Sequence, residues 1–249
     1  MTPTSAARAF IIPVAFAALW QTASTLGWLN PILFPPPTAV FQTGWEMTLT
    51  GELPRHIGAT LRRVFLGVFW GGLAGLIVGL LMGISTFVRH LLEPLVSAIY
   101  STPKLTLFPL VMLFLGIGDA SRVLLIALVA FIFVAVEAVD GIRSLDLHYV
   151  DLARNYGAGR WDLIRKVYFP GSLPHIFTGL RLAFSRSLVT GISVELISGP
   201  DGLGTIIWLA WETLRTERLY VGIIVAALLG AVAFRSARSI EKHLVPWRD

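Results

Sequence analysis

Residues 64–88 read VFLGVFWGGLAGLIVGLLMGISTFV, a run without one charged side chain. A helix needs about 20 mostly apolar residues to cross a bilayer, so this run predicts a membrane span. Five further segments approach the same requirement: 10–28, 95–115, 123–139, 176–197 and 219–234. Two of these are interrupted. Pro103, Lys104 and Pro109 break 95–115, while Arg181, Arg186 and Glu195 interrupt 176–197. The fold class expected is all-α, a polytopic membrane protein with about six transmembrane helices.

Composition agrees with that reading. Hydrophobic residues make up 55% of the chain, charged residues 14%, and the mean hydropathy is +0.73. A soluble domain of 249 residues would need more polar surface than 20 Lys and Arg plus 15 Asp and Glu supply. Lipid covering the outside resolves the deficit. With no cysteine, disulfides, thiolate metal sites and cysteine nucleophiles are excluded. The apolar run at 10–28 is longer than the about 7–15 residues of a signal-peptide core and is read as a first span.

The net charge of +5 is assigned to the cytoplasmic side of a membrane rather than to nucleic acid. With the N-terminus inside and six alternating spans, Arg8, Arg89, Arg143, Arg154, Arg160, Arg165, Lys166, Arg235, Arg238, Lys242 and Arg248 fall inside. Both termini are then cytoplasmic. Arg62 and Arg63, with Arg55, Arg122, Arg215 and Arg218, fall outside, and the first two count against this orientation. The proline-rich connection 30–61 is expected to be an ordered outer loop leading into a short helix. Segment 205–215 is amphipathic, with Trp208 and Trp211 suited to the outer interface.

Gly67, Gly71, Gly75, Gly79 and Gly83 recur every four residues, which places them on one helix face. Small residues let membrane helices approach closely. Such a ladder fits plain tight packing, or a seam against a moving or symmetry-related helix.

The segment 151–170, DLARNYGAGRWDLIRKVYFP, is polar in an apolar chain. It lies in an inner connection of about 35 residues, a length that is usually functional or disordered. A short helix from Asp151 to Tyr156, a break at Gly157 and Gly159, and a second helix from Arg160 to Tyr168 are expected. Trp161, Ile164 and Tyr168 share a face of the second helix, and Pro170 is expected to stop it. Such an elbow suits a protein partner, or a helix lying on lipid headgroups.

These residues resemble the cytoplasmic EAA loop in permease subunits of bacterial ABC importers. That loop reads Glu-Ala-Ala, three residues, Gly, nine residues, then Ile-x-Leu-Pro. Here Asp151-Leu152-Ala153, Gly157 and Val167-Tyr168-Phe169-Pro170 keep the spacing, with Asp for Glu and Leu for Ala. Ser101-Thr102-Pro103-Lys104 with Pro109, Gly116-Ile117-Gly118, Gly179-Leu180-Arg181, and Glu195 followed by Gly202-Leu203-Gly204 extend the resemblance over most of 55–240. It is nearest the nitrate, taurine and aliphatic sulfonate branch. The implied organisation is a first helix and outer loop over 1–54, the importer transmembrane domain over 55–240 with its coupling loop at 141–175, and a tail at 241–249.

The resemblance also implies partners and a mechanism. They are two copies of an ABC ATPase, which carry ATP and magnesium, a second permease subunit forming a homodimer, and a periplasmic or lipid-anchored solute-binding protein. The chain would lie in the bacterial inner membrane. The elbow, through Asp151, Leu152, Ala153, Gly157, Arg160, Trp161, Ile164, Val167 and Pro170, would fit a groove on the ATPase. ATP-driven closure would then open the pathway outward, an alternating-access motion.

No cofactor or metal is expected on this chain, and no catalysis. A phosphate-cradling loop needs Gly-x-x-x-x-Gly-Lys-Ser/Thr, but Lys104, Lys166 and Lys242 all lack a preceding glycine. Histidines at 56, 90, 148, 175 and 243 show no metal-ligand spacing, and a solvated or capping role is expected for each. An ionisable group at the centre of a span costs about 2.5–3.5 kcal/mol and usually faces a cavity or partner. Lys104, between Pro103 and Pro109, is therefore a candidate for the substrate path or a lysine snorkelling to headgroups. Arg186 and Glu195 are candidates for the path or for structural pairing. The cargo expected is a small anion such as a sulfonate, taurine or nitrate. A vitamin precursor of pyrimidine or riboflavin type, and a non-transporting membrane adaptor, are the alternatives.

Overall fold

The computed structural model describes residues 3–244, and side chains from residue 11 to 236 and at Ser239. Of the expected tail, 245–249 lie outside the described residues, as do the side chains of Arg8, Arg238 and Lys242 that entered the orientation argument. Eleven α-helices and no strand occur among the described residues.

Helices α1 (Pro3–Thr25) and α2 (Pro37–Leu49) precede α3 (Glu52–Ile84), which starts well before the apolar run at 64–88 and stops short of its end. Ser85 caps the next helix, α4 (Thr86–Ser101), by accepting from the Val88 N–H. A 3-10 turn at Lys104–Leu107 leads to α5 (Phe108–Leu115). Then come α6 (Asp119–Arg143), α7 (Leu147–Asn155), α8 (Arg160–Leu163), α9 (Phe169–Ser198), α10 (Leu203–Glu212) and α11 (Thr216–Leu244).

Among the described residues three helices are long and apolar enough to cross a membrane: α3, α6 and α11 within Thr216–Ser236. The expected span 95–115 is not one straight helix. Its halves, Thr86–Ser101 and Lys104–Leu115, bend by 98° and make a fourth span only if counted together. Pro103, extended at φ −61° and ψ 107°, sets the break. The six spans expected are not all reached by length and composition. The described apolar stretch of α1, Ile11–Thr25, is short. Helix α9 is long enough, but Arg181, Arg186 and Glu195 dilute it.

Helix α6 is the axis of the fold, with α3 along one side and α9 along another. The glycine ladder lies in the α3–α6 seam. A Cβ at Gly71 would overlap the Ala127 carbonyl, one at Gly79 would sit 2.7 Å from Ala138 Cβ, and one at Gly83 2.7 Å from Ile142 Cδ1. Backbone meets backbone, which only glycine permits. These contacts lie within one chain. Val64, Ile126 and Leu188 close the three-helix core, and Phe108 plugs α5 onto Leu125 and Val194.

Candidate functional site: an exposed elbow and a buried ion cluster

The two ends of this three-helix unit differ in chemistry. At one end α6 leaves for α7 and α8 before the chain re-enters through α9. Asp146 accepts from the His148 N–H and starts α7. Gly157 then takes φ +82°, the left-handed region that an L side chain enters only with strain, and the chain turns into α8. Val150 and Leu163 are buried and anchor the elbow. Leu147, Tyr149, Leu152, Tyr156 and Trp161 stand exposed, Tyr156 at 85%. Asp151, Gly157 and Arg160 are exposed as well, while Ala153, Ile164, Val167 and Pro170 are half-buried. Leu145, Tyr149, Lys166, Val167, Pro170 and Gly171 line a cavity of about 340 Å³ on its flank. Lys166 Nζ donates to Asp162 Oδ1 at 2.7 Å and holds that carboxyl below the usual carboxylate range.

Pro170 does not stop the second helix. The chain runs on from α8 through a π turn, Ile164–Tyr168, directly into α9, and Pro170 occupies the first turn of that helix. In the π turn the Phe169 N–H reaches back to the Ile164 carbonyl. The widened turn makes room for the proline ring where an α-turn would clash. It also breaks the expected shared face. Trp161 is exposed, whereas Ile164 and Tyr168 are half-buried.

At the opposite end sits a buried ion cluster. Arg63, 1% exposed, donates from Nε to Asp119 Oδ1 at 2.8 Å and from Nη1 to Glu195 Oε1 at 2.8 Å. The same Nη1 reaches the Asp201 carbonyl at 2.9 Å, and Nη2 pairs with the Asp201 carboxylate. Glu195 Oε2 accepts from Thr60 Oγ1 at 2.8 Å and from the Gly204 N–H at 3.2 Å. Arg122 joins through Asp119 Oδ1 at 2.9 Å, and exposed Arg62 pairs with the other Asp119 oxygen. Three arginines thus meet three carboxylates and tie α3, α6, α9 and the α9–α10 connection together.

The glycines after Glu195 belong to this cluster. Gly202 has φ +119°, and a Cβ there would overlap the Glu195 carboxylate. Its N–H donates to His56 Nδ1 at 2.9 Å, and the Leu203 N–H donates to Thr60 Oγ1 at 2.9 Å. The first N–H groups of α10 thereby find partners, so buried His56 is a cap rather than a solvated side chain. Arg62 and Arg63, which counted against the orientation as loose outer charges, are pieces of this structure. Sequence reasoning missed Arg63, Asp119, Asp201 and Arg122. Their one signal was an arginine early in a long helix beside an apolar run.

The remaining candidates separate. Glu195 belongs to the buried cluster, whereas Arg186 is exposed on α9, with no partner for its guanidinium among the described residues. Lys104 lies in the 3-10 turn, half-buried. Its ammonium donates to the Tyr100 carbonyl and lies 5.3 Å from the centre of that ring. Pro103 precedes the turn and Pro109 opens α5. Trp208 and Trp211 on α10 are exposed, their rings 5.0 Å apart. Among the described residues no acidic and histidine cluster is placed to hold a metal ion.

Comparison with known proteins follows the same lines. The chain is 36% identical over 238 residues to SsuC of Escherichia coli K12, named as an aliphatic sulfonates transport permease, covering 96% of this chain and 90% of that protein. It is 34% identical over 234 residues to the taurine transport system permease protein TauC of the same organism, covering 92% and 85%. A crystal structure of an amino acid ABC transporter with histidines superposes with a TM-score of 0.65 at 21% identity, over 76% of this chain and 92% of that one. That likeness is one of fold. Residues 71–246 match the family described as "Binding-protein-dependent transport system inner membrane component", and the chain belongs to that family of ABC importer permeases.

Proposed function

We propose that this chain forms the translocation pathway of an ATP-driven importer for a small organic anion of the sulfonate or taurine class. A separate ATPase pair would drive it through the elbow, and a solute-binding protein would deliver the cargo to the opposite end. The observation that carries this reading is the elbow itself. Five large apolar or aromatic side chains stand in solvent on a segment turned by a left-handed glycine, at one end of a rigid three-helix unit. Exposed patches of that kind mark a protein partner. The names of the sulfonate and taurine permeases support the cargo class.

In this reading the elbow faces the cytoplasm and the ion cluster the outside. Helix α6 joins them over about 36 Å at 1.5 Å per residue. With α3 and α6 in backbone contact and α9 locked by Glu195, a push on the elbow displaces the whole unit. Two such units, one from each permease copy, would alternately open inward and outward.

The test is purification of the chain with its neighbouring ATPase and binding protein, and measurement of ATP-dependent taurine and ethanesulfonate uptake into liposomes. Uptake that needs all three components is expected. Uptake of a pyrimidine or riboflavin but no sulfonate would overturn the cargo class, and no uptake with the chain still membrane-bound would favour an adaptor.

A further inference from the structure

Among the described residues, Arg186 of α9 and Lys104 of the 3-10 turn have no carboxylate against them. Arg62, Arg63, Arg122 and Arg218 each pair with an acid. Arg186 lies about 18 Å along α9 from Ser198, so it falls at depth rather than at the rim. An exposed guanidinium there does not face hydrocarbon, so this side of α9 borders water or protein. Thr190 and Ser193 follow on the same side at i+4 and i+7. Both hydroxyls donate to carbonyls of their own helix, at 2.9 Å each, which leaves Arg186 the main free donor on this side, beside exposed Val189.

Lys104 sits on an element that touches the same helix. Its 3-10 turn packs on α9 as well as on α6. The turn lies between Tyr100, whose ring meets Phe133 of α6, and Phe108, which packs on Leu125 and Val194. One ammonium hydrogen caps the Tyr100 carbonyl at the end of α4, a favourable place for a cation. That contact fixes the side chain without neutralising it.

We propose that Lys104 and Arg186 form an anion-recognition station within the pathway, taking the sulfonate or carboxylate group of a small organic anion as it passes. This rests on the reading of the chain as a permease for such anions. Arg186 supplies a planar fork of donors that matches a tetrahedral oxyanion in two contacts, and Lys104 supplies a compact charge. Glu195 is not part of the station, because its oxygens are taken by Arg63, Thr60 and Gly204.

The test uses the complete importer in liposomes with taurine and ethanesulfonate as probes. Arg186→Ala and Lys104→Ala should each lower uptake per ATP hydrolysed by about tenfold to a hundredfold, the range for losing a hydrogen bond to a charged group. Arg186→Lys should recover part of the loss, and Arg186→Glu should fall below Arg186→Ala. Membrane yield and permease dimer content should match the parent in all four. Parent-like uptake by the Lys104→Ala, Arg186→Ala double variant would overturn the station. So would loss of the permease dimer in Arg186→Ala, which would mean that an acid of the second copy holds the guanidinium. Calorimetry on the binding protein separates the two levels of the claim. If that protein binds no anion, the cargo class fails. If it binds ethanesulfonate and the variants still import it normally, the station alone fails.

Discussion

Arg63 and Glu195 stand 132 positions apart in sequence and meet through a 2.8 Å hydrogen bond, with Glu195 1% exposed. The pair joins α3 to α9, and Asp119 brings in α6 between them. A buried ion pair does not guarantee net stability. Its removal by halves is costly, because the survivor is left charged in a low-dielectric site.

Arg63→Met should therefore lower stability by about 3–5 kcal/mol, since Glu195 loses its one cationic partner among the described residues. Glu195→Gln should cost less, because Asp119 and Asp201 still hold the guanidinium. The Arg63→Met, Glu195→Leu pair should recover part of the single-variant loss. Denaturant unfolding in detergent, arranged as a double-mutant cycle, checks this.

Gly71→Ala should disrupt the α3–α6 seam, because its Cβ overlaps the Ala127 carbonyl and backbone cannot move aside cheaply. Overpacking of this kind costs about 1–3 kcal/mol or more. Gly58→Ala, on the same helix with nothing within 4 Å, should be neutral or stabilise by up to about 1 kcal/mol through helix propensity. Membrane yield and thermal denaturation of the two variants give the comparison.

Gly157 separates strain from contact. A Cβ there meets nothing within 4 Å, so substitution produces no clash inside this chain. Gly157→Asn, which tolerates φ +82°, should fold normally. Gly157→Val adds strain of about 1–2 kcal/mol and should also block close approach of a partner. Pull-down of the ATPase and uptake per ATP should fall for Gly157→Val and much less for Gly157→Asn.

Much of this was legible in the sequence, and the failures have physical causes. Apolar runs mark α3, α6 and α11 because lipid demands length and continuity. The spacing from Asp151 to Pro170 marks the elbow because a polar insert in an apolar chain needs a reason. The buried cluster was not legible. Arg63 meets Asp119, Glu195 and Asp201 across separations of 56, 132 and 138 residues, and no local pattern announces such a pairing. Pro170 misled because a π turn is a backbone adjustment that residue types do not spell out. The 98° bend at Pro103 was visible as a break, but not as a change of direction.

The absence of cysteine makes topology directly measurable. Tyr156→Cys on the elbow should react with an impermeant maleimide only from the inner face of membrane vesicles. Glu212→Cys at the end of α10 should react only from the outer face. The reverse pattern would invert the orientation and with it the assignment of the two ends.

The central claim is that a separate ATPase grips the elbow. A photo-crosslinker attached at Tyr156→Cys in the complete importer tests it most directly. The account predicts one dominant adduct, to a nucleotide-hydrolysing subunit, whose yield changes between the ATP-bound and nucleotide-free states. Adducts to lipid alone, or to the solute-binding protein, would contradict it.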